Sequence, residues 1–409
     1  MKAGHLSQYF RGAAAKRLAA VEVDSSQSHQ HEFNGTKELR KLLGECGDPV
    51  RIPARFIYLS EQADDSASDI GELTWYDARQ RARVERGVNR HECRLYFKET
   101  PVTKRAVPGD TLILARQQNG SVLAIFAASE STAERQLRWL FGFSEDPELS
   151  FSVRPEEDQD QVELDLAARY ILGEIGIDAH DESPVDLSAI LGRFGSTFPT
   201  TREFSEFARQ STAGVSPSDD PDGALVAWMN MEELLFRSLE RHLVEDRLKV
   251  GFVRDVDGFI SYSLSVQNRR KSRVGWALEH HVEALMRSRG LDYSRGEVTE
   301  NRSKPDFLFP GIREYRDAQY PPERLTMLGV KSSCKDRWRQ VLSEARRIPA
   351  KHLLTLEPGI SEAQTNEMRS SELRLVIPAA LHSTYSDGQR AWLMTVGNFI
   401  SLVASRQSG

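Results

Sequence analysis

The sequence lacks any run of about 18 or more apolar residues, the length that a membrane-spanning helix needs. Its first residues, Met1 to His5, lead into no apolar segment, so no secretory signal is expected. Cysteine is scarce, because Cys46, Cys93 and Cys334 are the only three, widely spaced and odd in number. That excludes a complete disulfide framework and any cysteine-rich zinc site. These absences favour a cytoplasmic protein in a reducing compartment, with no membrane as a partner.

Basic residues are not in excess either, since the formal net charge is −6, which at first sight argues against nucleic acid. The charges are unevenly distributed, however. Acidic side chains crowd the segment 155–165, whereas basic side chains cluster at 79–94, 269–273 and 331–347. Because DNA binding depends on local positive patches, the total charge does not decide the matter.

The length of 409 residues favours two domains rather than one hydrophobic core. Residues 1–150 are expected to form a β-rich barrel or sandwich with one or two helices, such as one at 36–43. Asn119-Gly120 between two apolar runs predicts a hairpin. The acidic stretch in 151–185 is the expected linker, because its carboxylates repel one another and bury little. The predicted strands of this half are 55–59, 92–97, 111–115 and 122–127.

The second half, 186–409, is predicted to be α/β, because helical and strand-like apolar patterns alternate along it. The predicted helices are 224–244, 276–289, 335–347, 361–369 and 389–404. The predicted strands are 306–309, 325–331, 352–356 and 373–377.

Three residues in this half have the chemistry of a phosphodiesterase site. Asp306 opens a short strand, Lys331 ends the next substantial strand 25 positions later (331 − 306), and Glu344 follows 13 positions beyond (344 − 331). Two carboxylates can hold Mg²⁺ through oxygen, and a lysine can orient the attacking water and offset charge on the phosphorane. This order matches the PD-(D/E)XK nuclease core.

The pattern has a defect, because position 329, two residues before the lysine, is Gly329 rather than an acid. The site works only if another carboxylate replaces it, and Glu344 on the following helix is the candidate. The alternative is structural: Asp306 caps a turn, Lys331 is a solvated strand end, and Glu344 pairs with Arg347 at i,i+3.

The wording around these residues resembles the EcoRII restriction endonuclease catalytic domain. The similar segments are VQNRRKSRVG at 266–275, KPDFLFP at 304–310 and VKSSCKDRWRQ at 330–340, within a resemblance that extends from about Phe194 to Val403. The resemblance implies a Mg²⁺-dependent type II restriction endonuclease on an α/β nuclease fold. It also implies the displaced glutamate, at Glu344.

Lys335, Asp336 and Arg337 are expected to read a G·C step, since Arg and Lys donate to guanine and Asp accepts from cytosine. In related enzymes that cut sites containing CC and GG, the corresponding triplet has this role. The alternative is an exposed helix start with ordinary surface charges.

A second group lies upstream of the catalytic strands. Arg269, Arg270, Lys271 and Arg273 are expected to contact phosphates, which positions DNA without reading its sequence. Gln267 is a candidate for a minor-groove base contact, with a polar helix start as the alternative. Glu279 is expected to touch a metal-bound water or support the site, with a solvated helix face as the alternative.

The N-terminal half resembles, more loosely, the DNA-recognition pseudobarrel of EcoRII and of plant B-three-type transcription factors. Two DNA-gripping arms would then lie at about 16–34 and 75–94, the second rich in arginine and aromatic residues. A solvated arginine-rich loop is the alternative, and the neighbouring histidines of the first arm are not expected to bind metal. The expected DNA-binding residues are Lys16, Arg17, His31, Asn34, Trp75, Arg79, Arg81, Arg90 and Arg94.

The sequence therefore predicts a homodimeric endonuclease acting on double-stranded DNA, because a palindromic duplex presents two equivalent scissile phosphates. The resemblance implies activation by effector DNA through the N-terminal domain, and a cognate DNA methyltransferase as a functional companion. The rival is a DNA-binding regulator whose nuclease-like fold has lost activity, and Gly329 favours it.

Overall fold

The computed structural model of the chain describes residues 4–23, 31–61, 66–87, 91–143, 146–159, 164–179, 187–334 and 337–408. The chain divides into two compact units. Unit 1 comprises Met1–Ala179 and Pro358–Gln364, and unit 2 comprises His180–Glu357 and Thr365–Gly409.

Unit 1 is built on one sheet. Its strands are β1 Phe10–Arg17, β2 Glu32–Asn34, β3 Val50–Leu59, β4 Ala67–Asp77, β5 Cys93–Phe97, β6 Thr111–Gln117, β7 Val122–Ala127 and β8 Ser152–Pro155. They are arranged in the order β2-β5-β4-β3-β7-β6-β1-β8, antiparallel except for the parallel pair β3–β7. Its helices are α1 Ala20–Val23, α2 Lys37–Leu43, α3 Gln80–Arg86, α4 Thr132–Phe141, α5 Glu156–Gln159 and α6 Leu166–Glu174.

The central strands of unit 1 are apolar on both faces, and the structure covers both. Leu112 and Leu114 of β6 belong to one buried cluster, together with Phe56. Ile113 and Ala115 of β6 belong to a second cluster, which also contains Phe141 of α4 and residues of α6. Because successive strand side chains point to opposite faces, an unbroken apolar run places this sheet between two cores. The prediction of a β-rich N-terminal half is confirmed.

The predicted linker 151–185 is wrong over its first part. Strand β8 pairs with β1, and Ala168, Ile171 and Leu172 of α6 are buried in the second cluster. Asp165 caps α6 by accepting a hydrogen bond from the N–H of Ala168 at 2.8 Å. The acidic composition therefore conceals a helix, because its carboxylates serve as caps and first-turn residues, where negative charge is favourable.

Unit 2 has a five-stranded sheet of order β13-β12-β11-β10-β9. Its strands are β9 Ser294–Arg295, β10 Phe307–Phe309, β11 Thr326–Lys331, β12 Lys351–Thr355 and β13 Leu373–Val376. Strand β10 is antiparallel to both neighbours, whereas β11, β12 and β13 are parallel. The remaining helices of the chain are α7 Leu187–Phe194, α8 Thr201–Ser211, α9 Pro221–Val250, α10 Val256–Ser288, α11 Ile312–Arg316, α12 Trp338–Leu342, α13 Glu362–Ser370, α14 Asp387–Arg390 and α15 Val396–Ser408.

This α/β architecture confirms the predicted fold class of the second half, but three helices differ from their predicted bounds. Helix α10 begins at Val256 rather than 276, because Asp255 accepts from the N–H of Gly258 at 2.8 Å and caps it there. Helix α12 is only five residues long. The predicted helix 389–404 is two helices, because Asp222 accepts from the N–H of Gly397 at 2.8 Å and so caps α15 separately from α14.

The cysteines also differ from expectation. Cys46 and Cys93 form a disulfide with their Cα atoms 5.7 Å apart, and Cys334 is free and buried. Counting cysteines could not reveal this pairing, because the two lie 47 positions apart and meet only through the fold. Among the described residues, no helix combines the length and the apolar character needed to cross a membrane.

Candidate active site

Asp306 and Lys331 meet at one edge of the unit 2 sheet. Asp306 immediately precedes β10 and Lys331 ends β11, and the antiparallel register Phe307↔Leu328 brings these two positions together. Asp306 Oδ2 accepts hydrogen bonds from Lys331 Nζ at 2.8 Å and from the N–H of Val330 at 2.7 Å. Asp306 is thus held across two strands and does not cap a local turn.

Packing explains why position 329 is glycine rather than an acid. A Cβ atom at this position would lie 3.0 and 3.2 Å from the two γ-carbons of Val341 in α12. Helix α12 therefore packs directly on the strand at Gly329. The turn that follows α12 carries Glu344, whose N–H donates to the carbonyl of Val341 at 3.2 Å. Glu344 lies in this turn, two residues beyond Leu342, so its predicted place on a helix is wrong.

Glu344 shares an electrostatic environment with the other two residues. Burial raises the pKa of Glu344 from 4.5 to about 7, while the charge of Lys331 lowers it and that of Asp306 raises it. Its Oε2 atom is buried and has no hydrogen-bond partner among the described residues. Arg347, its predicted surface partner in the alternative interpretation, instead donates to carbonyl oxygens, among them that of Asp317 at 2.8 Å. A buried carboxylate oxygen without a donor is suited to a cation.

Glu279 of α10 approaches the same centre. The pKa of Glu279 is raised, chiefly by burial and also by the charge of Asp306, although a hydrogen bond from Arg295 lowers it. Arg295 Nη2 donates to Glu279 Oε2 at 2.6 Å, and its Nη1 donates to Glu283 Oε2 at 2.8 Å. Arg295 therefore holds Glu279 in place. Sequence reasoning missed Arg295, because an isolated arginine in a two-residue strand gives no periodic or motif signal.

The four predicted catalytic residues are thus collected at the edge of one sheet. Three carboxylates and one lysine make an oxygen-rich centre of net negative charge, which is the donor set preferred by Mg²⁺. Asp306 and Glu344 fit the role of direct ligands. Lys331 forms an ion pair with Asp306, and its charge also acts on the carboxyl of Glu344, whose pKa it lowers. Glu279 is oriented by an ion pair of its own.

The triplet predicted to read bases is only partly visible. Arg337 is exposed immediately before α12, close in sequence to Lys331. Lys335 and Asp336 lie outside the described residues, so their proposed roles stay predictions.

The basic run 269–273 lies in the middle of α10, and not all of it is free. Arg273 is buried and forms ion pairs with Glu232 and Glu233 of α9. Arg270 donates through Nε to the buried carboxylate of Glu240 at 2.7 Å. The assignment of Arg273 as a phosphate contact is therefore corrected, because it is buried and neutralises acids of α9. The side chain of Arg270 is 37% exposed, so its phosphate contact stays a prediction.

The other members of this segment face outwards. Gln267, Arg269 and Lys271 are exposed on α10. The Arg269 guanidinium lies 4.1 Å from the ring centre of Phe198, which fixes its stem and leaves its charge at the surface.

Two predicted DNA-binding residues of unit 1 are interior, and a third is half-buried in an ion pair. Lys16 is buried in an ion pair with Glu22, and Arg17 pairs with Glu134 at 2.7 Å. Trp75 is 2% exposed, and its ring N–H donates to the carbonyl of Gly44. The assignments of Lys16 and Trp75 are corrected, since a buried side chain with its polar atoms satisfied stabilises the fold and is not available to DNA. Arg17 is partly exposed, so its contact with DNA stays a prediction.

The remaining predicted residues of the two arms meet through sheet pairing. Strand β2 pairs with β5 with Asn34 opposite Arg94, and Arg94 donates to the side chain of Asn34. Arg79 and Arg94 both pair with Glu92, and Arg81 is exposed on α3. His31 is partly buried with its ring against Phe97, and Arg90 lies outside the described residues.

Comparison with known proteins finds similarity in the second half of the chain. Residues 236–400 match the family model described as EcoRII C terminal. The chain is 43% identical over 236 residues to the type II restriction enzyme EcoRII of Escherichia coli, a match that covers 57% of this chain and 57% of that enzyme. The chain thus matches little more than half the length of this curated relative.

Two solved structures show a weaker likeness. Metal-depleted Ecl18kI in complex with uncleaved, modified DNA has a TM-score of 0.44 at 18% identity, covering 54% of this chain and 83% of that chain. The complex of restriction endonuclease PspGI with substrate DNA has a TM-score of 0.42 at 15% identity, covering 55% of this chain and 98% of that chain.

Proposed function

From the match of residues 236–400 to the EcoRII C terminal family model, we propose that the chain is a cytoplasmic, Mg²⁺-dependent type II restriction endonuclease. Its substrate is double-stranded DNA with a short palindromic or pseudopalindromic site containing CC/GG. The observation that carries the proposal is the hydrogen bond between Lys331 and Asp306, together with the buried Oε2 atom of Glu344, which has no hydrogen-bond partner among the described residues.

Asp306 and Glu344 would hold the metal, and Lys331 would act on the reacting atoms. When bound, Mg²⁺ supplies a Lewis acid that polarises phosphate oxygen and lowers the pKa of water. Lys331 can exchange its hydrogen bond to Asp306 for one to the attacking water or to a phosphate oxygen, where its charge offsets the developing negative charge. Glu279 would orient water at the rim, because Arg295 fixes its carboxylate.

The DNA contacts are divided between reading and positioning. Arg337, with Lys335 and Asp336, would read a G·C step in the major groove, because a guanidinium can donate to both O6 and N7 of guanine. Arg269 and Lys271 would contact phosphates, and Gln267 would reach a base edge from the same face of α10. All three side chains are exposed.

The proposed homodimer has a candidate surface on α10. Val256, Ile260 and Leu264 recur every four residues and are 66%, 49% and 52% exposed, so they form an apolar stripe along one helix face. A second copy of the chain is the expected occupant, because a twofold palindrome requires two identical active sites and an isologous contact supplies them. Burial of such a stripe against its own copy removes apolar surface from water.

Unit 1 would bind a second DNA site as an effector and so activate the nuclease. The support is the meeting of the two arm segments at β2 and β5, with Asn34, Arg79, Arg81 and Arg94 on that edge. A cognate DNA methyltransferase would protect host sites, as a functional companion rather than a bound partner.

Cleavage of plasmid DNA tests the nuclease proposal directly. The full chain should linearise plasmid with Mg²⁺, and sequencing of the ends should give one short twofold site. The rival, which rests on the glycine at position 329 in place of the expected acid, is an inactive DNA-binding regulator on the same fold. Specific binding without cleavage at any Mg²⁺ concentration would establish that rival.

A further inference from the structure

A second cluster of metal-ligating side chains lies in unit 1, whereas the residues of the proposed nuclease centre belong to unit 2. The ligand atoms of Cys46, Asp77 and His91 all lie within 4.8 Å of one another. Cys93 Sγ is bonded to Cys46 Sγ, and Cys93 is directly opposite Asp77 in the β4–β5 register. Four potential ligands from three chain segments therefore converge on one place.

The carboxylate in this cluster is held in a fixed orientation. The Asp77 side chain is fully buried, and its Oδ1 accepts from the N–H groups of Arg79 and Glu92, each at 3.0 Å. Its other oxygen, Oδ2, lies 3.1 Å from Nδ1 of His91. Two ligands of a tetrahedral zinc ion with bonds of about 2.0–2.1 Å are about 3.3 Å apart, so this pair already has nearly the required separation.

We propose that Cys46, Asp77, His91 and Cys93 bind one Zn²⁺ when the two cysteines are reduced. A phosphine opens the disulfide by supplying two electrons, while water supplies the two protons and the oxygen of the phosphine oxide; metal binding then releases both thiol protons. The two sulfur atoms must separate to about 3.8 Å, the edge of a tetrahedron with zinc–sulfur bonds of about 2.3 Å. Rotation of the two side chains from Cα atoms 5.7 Å apart achieves this.

The ligand types select against the metal of the nuclease. Two thiolates and an imidazole are soft or borderline donors that prefer Zn²⁺, whereas Mg²⁺ prefers oxygen ligands. Three cysteines cannot supply a cysteine-rich site, but two of them with His91 and Asp77 complete a mixed tetrahedral set.

The zinc site would hold together the two ends of the second predicted DNA-gripping arm, at about 75–94. Asp77 ends β4 and Cys93 begins β5, so the segment between them, which carries α3 with Arg81, is closed at both ends by the metal. Cys46 adds the loop after α2. Zinc would therefore order the surface on which Arg79 and Arg81 lie, without contacting DNA itself.

Zinc content of the full chain tests this proposal. The protein is reduced with a phosphine, stripped of metal, incubated with Zn²⁺, desalted and analysed for zinc by mass spectrometry, with no DNA or Mg²⁺ present. The expected result is one Zn²⁺ per chain. Co²⁺ in its place should give an intense thiolate-to-metal charge-transfer band and the visible spectrum of a tetrahedral site.

Variants separate this site from adventitious binding. His91→Ala should reduce Zn²⁺ affinity by on the order of 10–100-fold or more, and Cys93→Ser should remove the charge-transfer intensity of one thiolate. His91 is 42% exposed, so its variant should keep the circular dichroism of the native chain. Cys334→Ser and His242→Ala are the matched controls and should bind zinc like the native chain.

A reduced, folded chain that retains no zinc would overturn the proposal. So would equal zinc affinity in the native chain and His91→Ala. Because neither measurement involves DNA cleavage, either outcome leaves the nuclease proposal standing or falling on its own test.

Discussion

Replacement of Glu344 by glutamine should make the metal-free protein more stable at alkaline pH while it abolishes efficient cleavage. Burial raises the pKa of Glu344 to about 7, so ionisation of this carboxyl opposes folding. Between the pKa of the unfolded chain and that of the folded chain, the folded state holds a proton that the unfolded state has lost. Stability therefore falls as the pH rises through this window, and glutamine, which has no proton to lose, removes the fall.

The magnitude follows from the two pKa values of Glu344. Between about pH 5 and pH 8, a carboxyl whose pKa rises from 4.5 to about 7 on folding costs the native state at most about 2.5 kcal/mol. Because the side chain is only partly buried, solvent screening reduces the expected difference to about 1–2 kcal/mol. With Mg²⁺ present, the native chain should instead be more stable than Glu344→Gln. A ligand at 100 times its dissociation constant stabilises the folded state by about 2.7 kcal/mol, and glutamine binds Mg²⁺ poorly.

Urea denaturation at about pH 5 and pH 8, with and without Mg²⁺, measures these effects. Glu344→Gln should gain stability relative to the native chain only at the higher pH and only without metal. Glu245→Gln, at an exposed position of α9, is the matched control and should change neither the pH dependence nor the response to Mg²⁺. Parallel pH profiles for Glu344→Gln and the native chain, with equal stabilisation by Mg²⁺, would refute the reasoning.

Four further variants test the proposed roles. Asp306→Asn can still accept from the N–H of Val330, so it should fold and bind DNA in Ca²⁺ but cut on the order of 10³-fold more slowly; near-native cutting would contradict its role as a ligand. Arg337→Ala should lose about 1–3 kcal/mol of binding to the cognate site alone. Equal losses on cognate and random DNA for Arg337→Ala would reject base reading. Lys271→Ala should weaken binding to every sequence and lower by about one the slope of the logarithm of the binding constant against the logarithm of salt concentration. Ile260→Asp should shift dimer to monomer in analytical ultracentrifugation, unlike Leu149→Asp, which replaces an exposed apolar residue of unit 1.

Much of the nuclease centre could be predicted from sequence because its signals are local. Asp306 and Lys331 flank short apolar runs, and the strands form where those runs predict them. Their hydrogen bond required only that the two strands pair antiparallel. The end of α12 could not be predicted, since the residues up to 347 keep good helix propensity. Ala345 adopts a positive φ of 46° there, a choice made by packing rather than by propensity.

Predictions that relied on residue type alone were wrong where the side chain is buried. Arg273 and Lys16 were expected at DNA because they are cationic, yet each is buried against an acid that lies elsewhere in the sequence. The separation of Arg273 from Glu233 is 40 positions, so only the packing of α9 on α10 pairs them. Composition gives the number of cations but not their partners, and a buried cation requires one.

The missing acid at position 329 and the extra acid at position 344 are two consequences of one packing arrangement. Glycine at 329 lets Val341 approach the strand within van der Waals distance, and a larger side chain would push α12 away. The approach of α12 in turn brings the following turn, with Glu344, into the field of Lys331 and Asp306. An acid restored at position 329 would therefore displace the one that replaces it. With this packing, position 329 has room only for glycine, whereas the usual nuclease pattern has a carboxylate there. Gly329 is therefore evidence for the displaced acid rather than for a lost activity.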